Sequence, residues 1–209
     1  MPTSSIARRL LGEEGGEPKR PGWLGVRMKD SADDRLLHAA VNGQTHDVAL
    51  AIDAGADVNL DHGAPLRWAA SNGHANVVNQ LLDAGARIDT TYHDALSGAA
   101  KNGFADVVAM LLDAGADPDV GAGTPLQVAI GHSHPKTAKL LIDRGADVTR
   151  MDHWPLRFAQ LVHLPEVVLA TLKAGADPSH LDPEFISQVA KYDPALAGKI
   201  LRFAIPDET

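Results

Sequence analysis

The sequence predicts an all-α solenoid, a row of stacked helix-turn-helix pairs, and three observations carry that prediction. A pattern of residues recurs every 30 positions over most of the chain. Inside each copy, apolar side chains fall at i, i+3, i+4 spacing in two short runs parted by a glycine-containing turn, the signature of paired amphipathic helices. The composition is 44% hydrophobic but only 4% aromatic, so small aliphatic side chains must fill the interior, as thin, closely stacked helices require.

The period is kept without a slip. Gly-Ala pairs stand at Gly55-Ala56, Gly85-Ala86, Gly115-Ala116, Gly145-Ala146 and Gly175-Ala176, followed by Asp57, Arg87, Asp117, Asp147 and Asp177. Leu36, Leu66, Leu96, Leu126 and Leu156 hold the same register, as do Ala39, Ala69, Ala99, Ala129 and Ala159. A fixed period of this length dictates architecture, because one helix pair cannot bury its own apolar face and stacking neighbours creates a continuous core.

In each copy the first helix opens near a proline (Pro65, Pro125, Pro155), where the missing N–H has no helical partner to lose. Asp34, Asp94 and Thr124 are its candidate N-caps. Asn42-Gly43, Asn72-Gly73 and Asn102-Gly103 end it with a left-handed residue. The second helix presents Val78, Leu81 and Leu82 in one copy and Val108, Leu111 and Leu112 in the next, and Pro135 and Pro165 suit its first turn. Small alanines on the first helix permit close approach, while leucine and valine on the second fill the outer layer.

These residues resemble the ankyrin repeat. Thr124-Pro125-Leu126-Gln127-Val128-Ala129 is similar to its opening motif, and Ser71 to Val78 followed by Leu81 to Ala86 is similar to the remainder. The resemblance covers roughly Asp33 to Asp182 and implies an ankyrin-repeat solenoid that binds proteins. Two departures matter. The usual period is about 33 residues, so each connection here is short and implies stubby β-hairpin fingers. Arg67, Ser97, Gln127 and Arg157 replace the histidine of the opening motif, so its hydrogen bond must be replaced or lost. His74 holds the family's Gly-His position, where its ring braces the turn. The short period resembles the arrays of viruses and bacteria more than the animal form.

The resulting organisation is an arm at 1–30, flexible or held by a partner, and five repeats at about 31–62, 63–92, 93–122, 123–152 and 153–182. A degenerate capping repeat and tail follow at 183–209, with helical patches at Phe185, Ile186, Val189 and at Leu196, Ile200, Leu201.

Charge narrows the partner class. The chain carries a net −8, divided into +2 over residues 1–30 and −10 over the rest. An acidic body repels a phosphate backbone, so nucleic acid is excluded and a basic protein surface is the better electrostatic match. No apolar run reaches the roughly 18 residues of a membrane span, and Arg8, Arg9, Glu13 and Glu14 interrupt any signal-peptide core. A cytoplasmic location is the resulting expectation, or the host cytoplasm or virion for a viral chain. With no cysteine there is neither disulfide nor thiolate chemistry.

Catalysis and cofactors are not expected: there is no phosphate loop, nucleophile elbow or paired metal motif. Ten histidines raise a metal question, with His132, His134, His153, His163 and His180 the densest group. No helix presents two of them at i, i+4, and His132 and His134 lie in a helix-helix turn while His153 and His180 lie at the hairpin edge, so the spacing argues against a metal site. The aspartates that recur in every connection read as turn and cap residues, forming an acidic ridge.

A partner is therefore expected on the groove and hairpins. The groove residues are Asn42, Ser71, Asn72, Lys101, Asn102, His132, Leu161 and Val162, and the hairpin residues are Tyr92, His93, Met151, Asp152, His153 and Trp154. Trp154 has two readings, a binding anchor or a core residue folded onto Phe158; Trp68, standing where leucine is usual, reads as core. The leading function is a non-catalytic protein-interaction module. The alternatives are an arm-anchored structural subunit of a larger assembly and an inhibitor or immunity-type protein that blocks a basic partner through the acidic ridge.

Overall fold

The structure, a computed structural model, describes residues 31–88 and 95–204. The described residues form twelve α-helices and no strand. The inner helices are α1 (Ala32–Asn42), α3 (Leu60–Ser71), α5 (Ala95–Lys101), α7 (Val120–Gly131) and α9 (Arg150–Leu161). Each pairs with an outer helix: α2 (Thr45–Asp53), α4 (Ala75–Asp83), α6 (Ala105–Asp113), α8 (Pro135–Asp143) and α10 (Pro165–Lys173). A 3-10 turn at Pro178–His180 leads to the final pair, α11 (Pro183–Tyr192) and α12 (Pro194–Ala204). Successive inner helices pack on one another, as do successive outer helices, and α12 packs on α10.

The core is columnar. Leu36, Leu66, Leu96, Leu126 and Leu156 are all at most 2% exposed, and the alanine column from Ala39 to Ala159 is equally buried. Val48, Val78, Val108, Ala138 and Val168 form the matching outer column. Each copy thus contributes the same small shapes, and burial is supplied by its two neighbours alone. Phe185, Val189, Ala197 and Ile200 of the last pair close the C-terminal edge. Trp68, expected in the core from its leucine-like position, is only half-buried.

The connections differ from the expected hairpins. Among the described residues the shortened finger is a left-handed turn with no β-ladder: Asp61, His62 and Gly63 have φ of 46°, 56° and 78°, and Met151, Asp152 and His153 have 51°, 57° and 54°. With three residues missing from each connection, the chain reverses within one tight turn. A left-handed non-glycine residue costs roughly 1–2 kcal/mol, so these turns need support. Arg67 supplies it, its Nη1 donating to the carbonyls of Asp61 and His62 at 3.3 and 3.2 Å. The arginine that displaced the opening-motif histidine therefore takes over its bracing of the turn.

Two of the expected caps act otherwise. Ser31, and not Asp34, caps α1 by accepting from Asp34 N–H at 3.1 Å. Thr124 donates its hydroxyl to Gly121 O at 2.6 Å; Asp94 lies outside the described residues. Pro135 and Pro165 open α8 and α10 as expected.

Candidate functional site

The joints between copies determine which side chains remain for a partner. Gly43, Gly73 and Gly103 end their helices at φ of 71°, 74° and 76°, and the rings of His74, Phe104 and His134 lie directly over them. His74 Nε2 meets Val41 O at 3.0 Å, and His134 Nε2 meets Lys101 O at 3.0 Å. Asn72 donates to Val41 O at 3.0 Å and Asn102 to Ser71 O at 2.9 Å. The Ser71 side chain occupies the space beside Gly98 that a Cβ there would need. Three expected groove residues, Ser71, Asn72 and Asn102, are thus engaged in holding one copy to the next. Asn42 donates within its own helix to His38 O at 2.7 Å.

Of the other expected contact residues, Lys101 is exposed, and His132 and Val162 are half-buried, Val162 against the core. Tyr92 and His93 lie outside the described residues. Trp154 is half-buried and stacks on Phe158 with ring centroids 4.6 Å apart, the contact of the packed reading. Met151 and Leu161 stay open, at 64% and 71% exposure. Leu161 borders an open cleft of about 380 Å³ whose wall includes Arg157, Gln160, His163, His180 and Phe185. Asp152, next to Met151, reaches the same wall, accepting from Arg157 Nη1 at 2.7 Å and facing His180 Nε2 at 3.3 Å.

The connecting aspartates form a backbone ladder. Asp57, Asp117, Asp147 and Asp177 each accept the N–H two residues on, at 2.9 Å in every case. Asp33, Asn59 and Asp119 reach one copy further, accepting the N–H of Asp57, Arg87 and Asp147. These bonds favour the charged form: Asp147 is held below the ordinary carboxylate range mainly by Thr149, and Asp177 mainly by Ser179.

One residue in this region was not picked out from the sequence. Gln160 stands in the apolar column of Ala40, Ala70, Ala100 and Ile130 and is 6% exposed. Its amide donates to His180 O at 3.0 Å and accepts from Asp182 N at 2.7 Å, tying the fifth copy to the cap. A polar residue in an apolar column is the only clue that the sequence offered.

His153 and His180, both expected at the hairpin edge, meet with ring centroids 4.8 Å apart. Stacking superposes equivalent connections, so residues nearly one period apart become neighbours.

Left-handed turns, paired helices and columnar burial define a helical-repeat protein. A family model described as ankyrin repeats (3 copies) matches residues 3–92 and 89–152, well over half of the chain. The chain belongs to the ankyrin repeat family, whose members are typically non-catalytic protein-interaction modules. The match begins inside the segment read as an arm, which lies outside the described residues. No match was found among curated proteins. No helix among the described residues is long and apolar enough to cross a membrane.

Proposed function

We propose that this chain binds a partner protein through the C-terminal end of its concave face, with Met151 and Leu161 as apolar anchors. The observation that carries the reading is their exposure: Met151 at the start of α9 and Leu161 at its end are 64% and 71% exposed, Leu161 beside a cleft edged by Arg157, His163 and Phe185. Large apolar side chains surrounded by charged groups are the composition of a binding centre with a polar rim. The partner presents an apolar side chain to the cleft and basic groups to the acidic ridge, where Asp147 and Asp177 stay charged. The polar groups nearer the N-terminus are less available, because Asn72 and Asn102 already hold neighbouring copies together.

Affinity purification from the native source, with mass spectrometry, identifies the partner. Its affinity is then measured against a Met151→Ala/Leu161→Ala variant. Loss of two anchors is expected to weaken binding by ~10-fold or more, a tenfold change being about 1.4 kcal/mol. An unchanged dissociation constant, with the same helical content, rejects this face as the docking site.

A further inference from the structure

The geometry points to a divalent transition-metal site at the junction of the fifth copy and the cap, formed by His153, Asp177 and His180. One potential ligand atom from each lies within 4.8 Å of the others. They come from two separate connections, so bound metal would join the left-handed turn at the start of α9 to the segment before α11.

The existing hydrogen bonds show what a metal ion would displace. Asp177 N–H donates to the Nδ1 lone pair of His153 at 3.2 Å, so an ion binding at His153 must replace that bond. His180 Nε2 faces Asp152 Oδ1 at 3.3 Å, and that carboxylate is itself held by Arg157 at 2.7 Å. This places the His180 proton on Nε2 and leaves a lone pair on its Nδ1, 3.4 Å from Ser179 Oγ and 4.0 Å from Asp177 Oδ2. Asp177 Oδ1 is occupied by Ser179 N–H at 2.9 Å, while Oδ2 faces inward. The Asp152–His180 pair thus reproduces the carboxylate–histidine arrangement that orients metal-binding imidazoles.

Ligand atoms about 2.0–2.2 Å from a tetrahedral ion are roughly 3.4 Å apart. The closure required here is of the order of an ångström, available to half-buried and exposed side chains by small torsional changes. Two imidazoles and one carboxylate suit zinc, nickel, cobalt or copper; magnesium and calcium need more oxygen ligands. Water completes the coordination, because the site is open. The left-handed turn at Met151, Asp152 and His153 is the local feature that carries His153 to Asp177.

The test is calorimetric titration of the chelator-stripped full chain with zinc chloride, paired with thermal melting. One dominant site is expected, with a higher melting temperature when zinc is bound. His180→Ala and His153→Asn should each weaken that site at least tenfold and abolish the zinc-dependent rise. Asparagine is chosen at 153 because it tolerates a left-handed backbone. Asp152→Asn should weaken zinc about tenfold, and His46→Ala, which alters an exposed histidine on α2, should change neither reading. Circular dichroism establishes that each variant is folded. Zinc affinity unaffected by loss of His153 and His180, or no saturable binding by the wild-type chain, overturns the proposal.

Discussion

The joints from the first copy to the fourth are variations on one device, whereas the joint between the fifth copy and the cap is made from different parts. In the former a ring, His74, Phe104 or His134, covers the glycine of the preceding copy, and an asparagine at two of these joints reaches back to a carbonyl. In the latter Gln160 bonds the backbone at His180 and Asp182, and His153 accepts from Asp177 N–H. The first kind distributes cohesion over a repeated set. The second concentrates it in single residues, at the end of a stack where a unit has only one full neighbour.

The largest expected effect comes from breaking a ring-on-glycine joint. Gly73→Ala would place a Cβ 2.7 Å from the Phe104 ring at φ of 74°, so the ring must move and the backbone is strained as well. A loss of about 3 kcal/mol is expected, of which roughly 1–2 comes from the left-handed backbone. Gly85→Ala has a similar φ of 86° but meets nothing within 4 Å, so it isolates the backbone contribution. Urea denaturation of both variants checks the difference. Equal losses would mean that Phe104 contributes nothing to this joint.

At the other end, Gln160→Leu leaves the Asp182 N–H and the His180 carbonyl without their partner. The expected cost is about 2 kcal/mol, localised to the cap. Hydrogen exchange should accelerate over 183–204 and remain unchanged in the earlier copies. Uniform acceleration along the chain would show that the last joint is coupled to the whole stack and is not a local fastening.

This contrast also separates what was legible in the sequence from what was not. Leu36, Ala39 and their equivalents could be read because each is stated five times, and repetition turns a weak apolar signal into a register. The His74 brace was readable from the family's Gly-His position, which the resemblance supplied, and not from repetition, since Gln44, Phe104 and Leu164 stand at equivalent places. Gln160 occurs once in its column, and its partners are backbone groups that leave no trace in residue identity. The finger turns were misread as small hairpins because left-handed backbone is ordinarily a glycine property, whereas Met151, Asp152 and His153 adopt it without one. The site suffered most: Ser71, Asn72 and Asn102 were assigned to a partner from their position alone, and only the neighbouring copy shows what they bond. His153 and His180 were placed at the same edge, but their meeting was not legible because ligand motifs are read within one helix, while a solenoid assembles neighbours nearly one period apart.

The smallest expected effect tests whether the repeated interior is also the better optimised one. Val77, Val107 and Val167 share a column with Thr137, which is 1% exposed and whose hydroxyl has no hydrogen-bond partner. Thr171, also fully buried, satisfies its hydroxyl by donating to Val168 O at 2.8 Å, so a buried threonine is tolerated where its own helix accepts. Thr137→Val keeps the shape and removes the unsatisfied group, and should raise stability by about 1 kcal/mol. The same change at Thr171 should give little or no gain, since it discards a bond along with the hydroxyl. Denaturation midpoints of the two variants compare these cases directly. If Thr171→Val stabilises as much as Thr137→Val, column identity governs the interior and hydroxyl satisfaction does not.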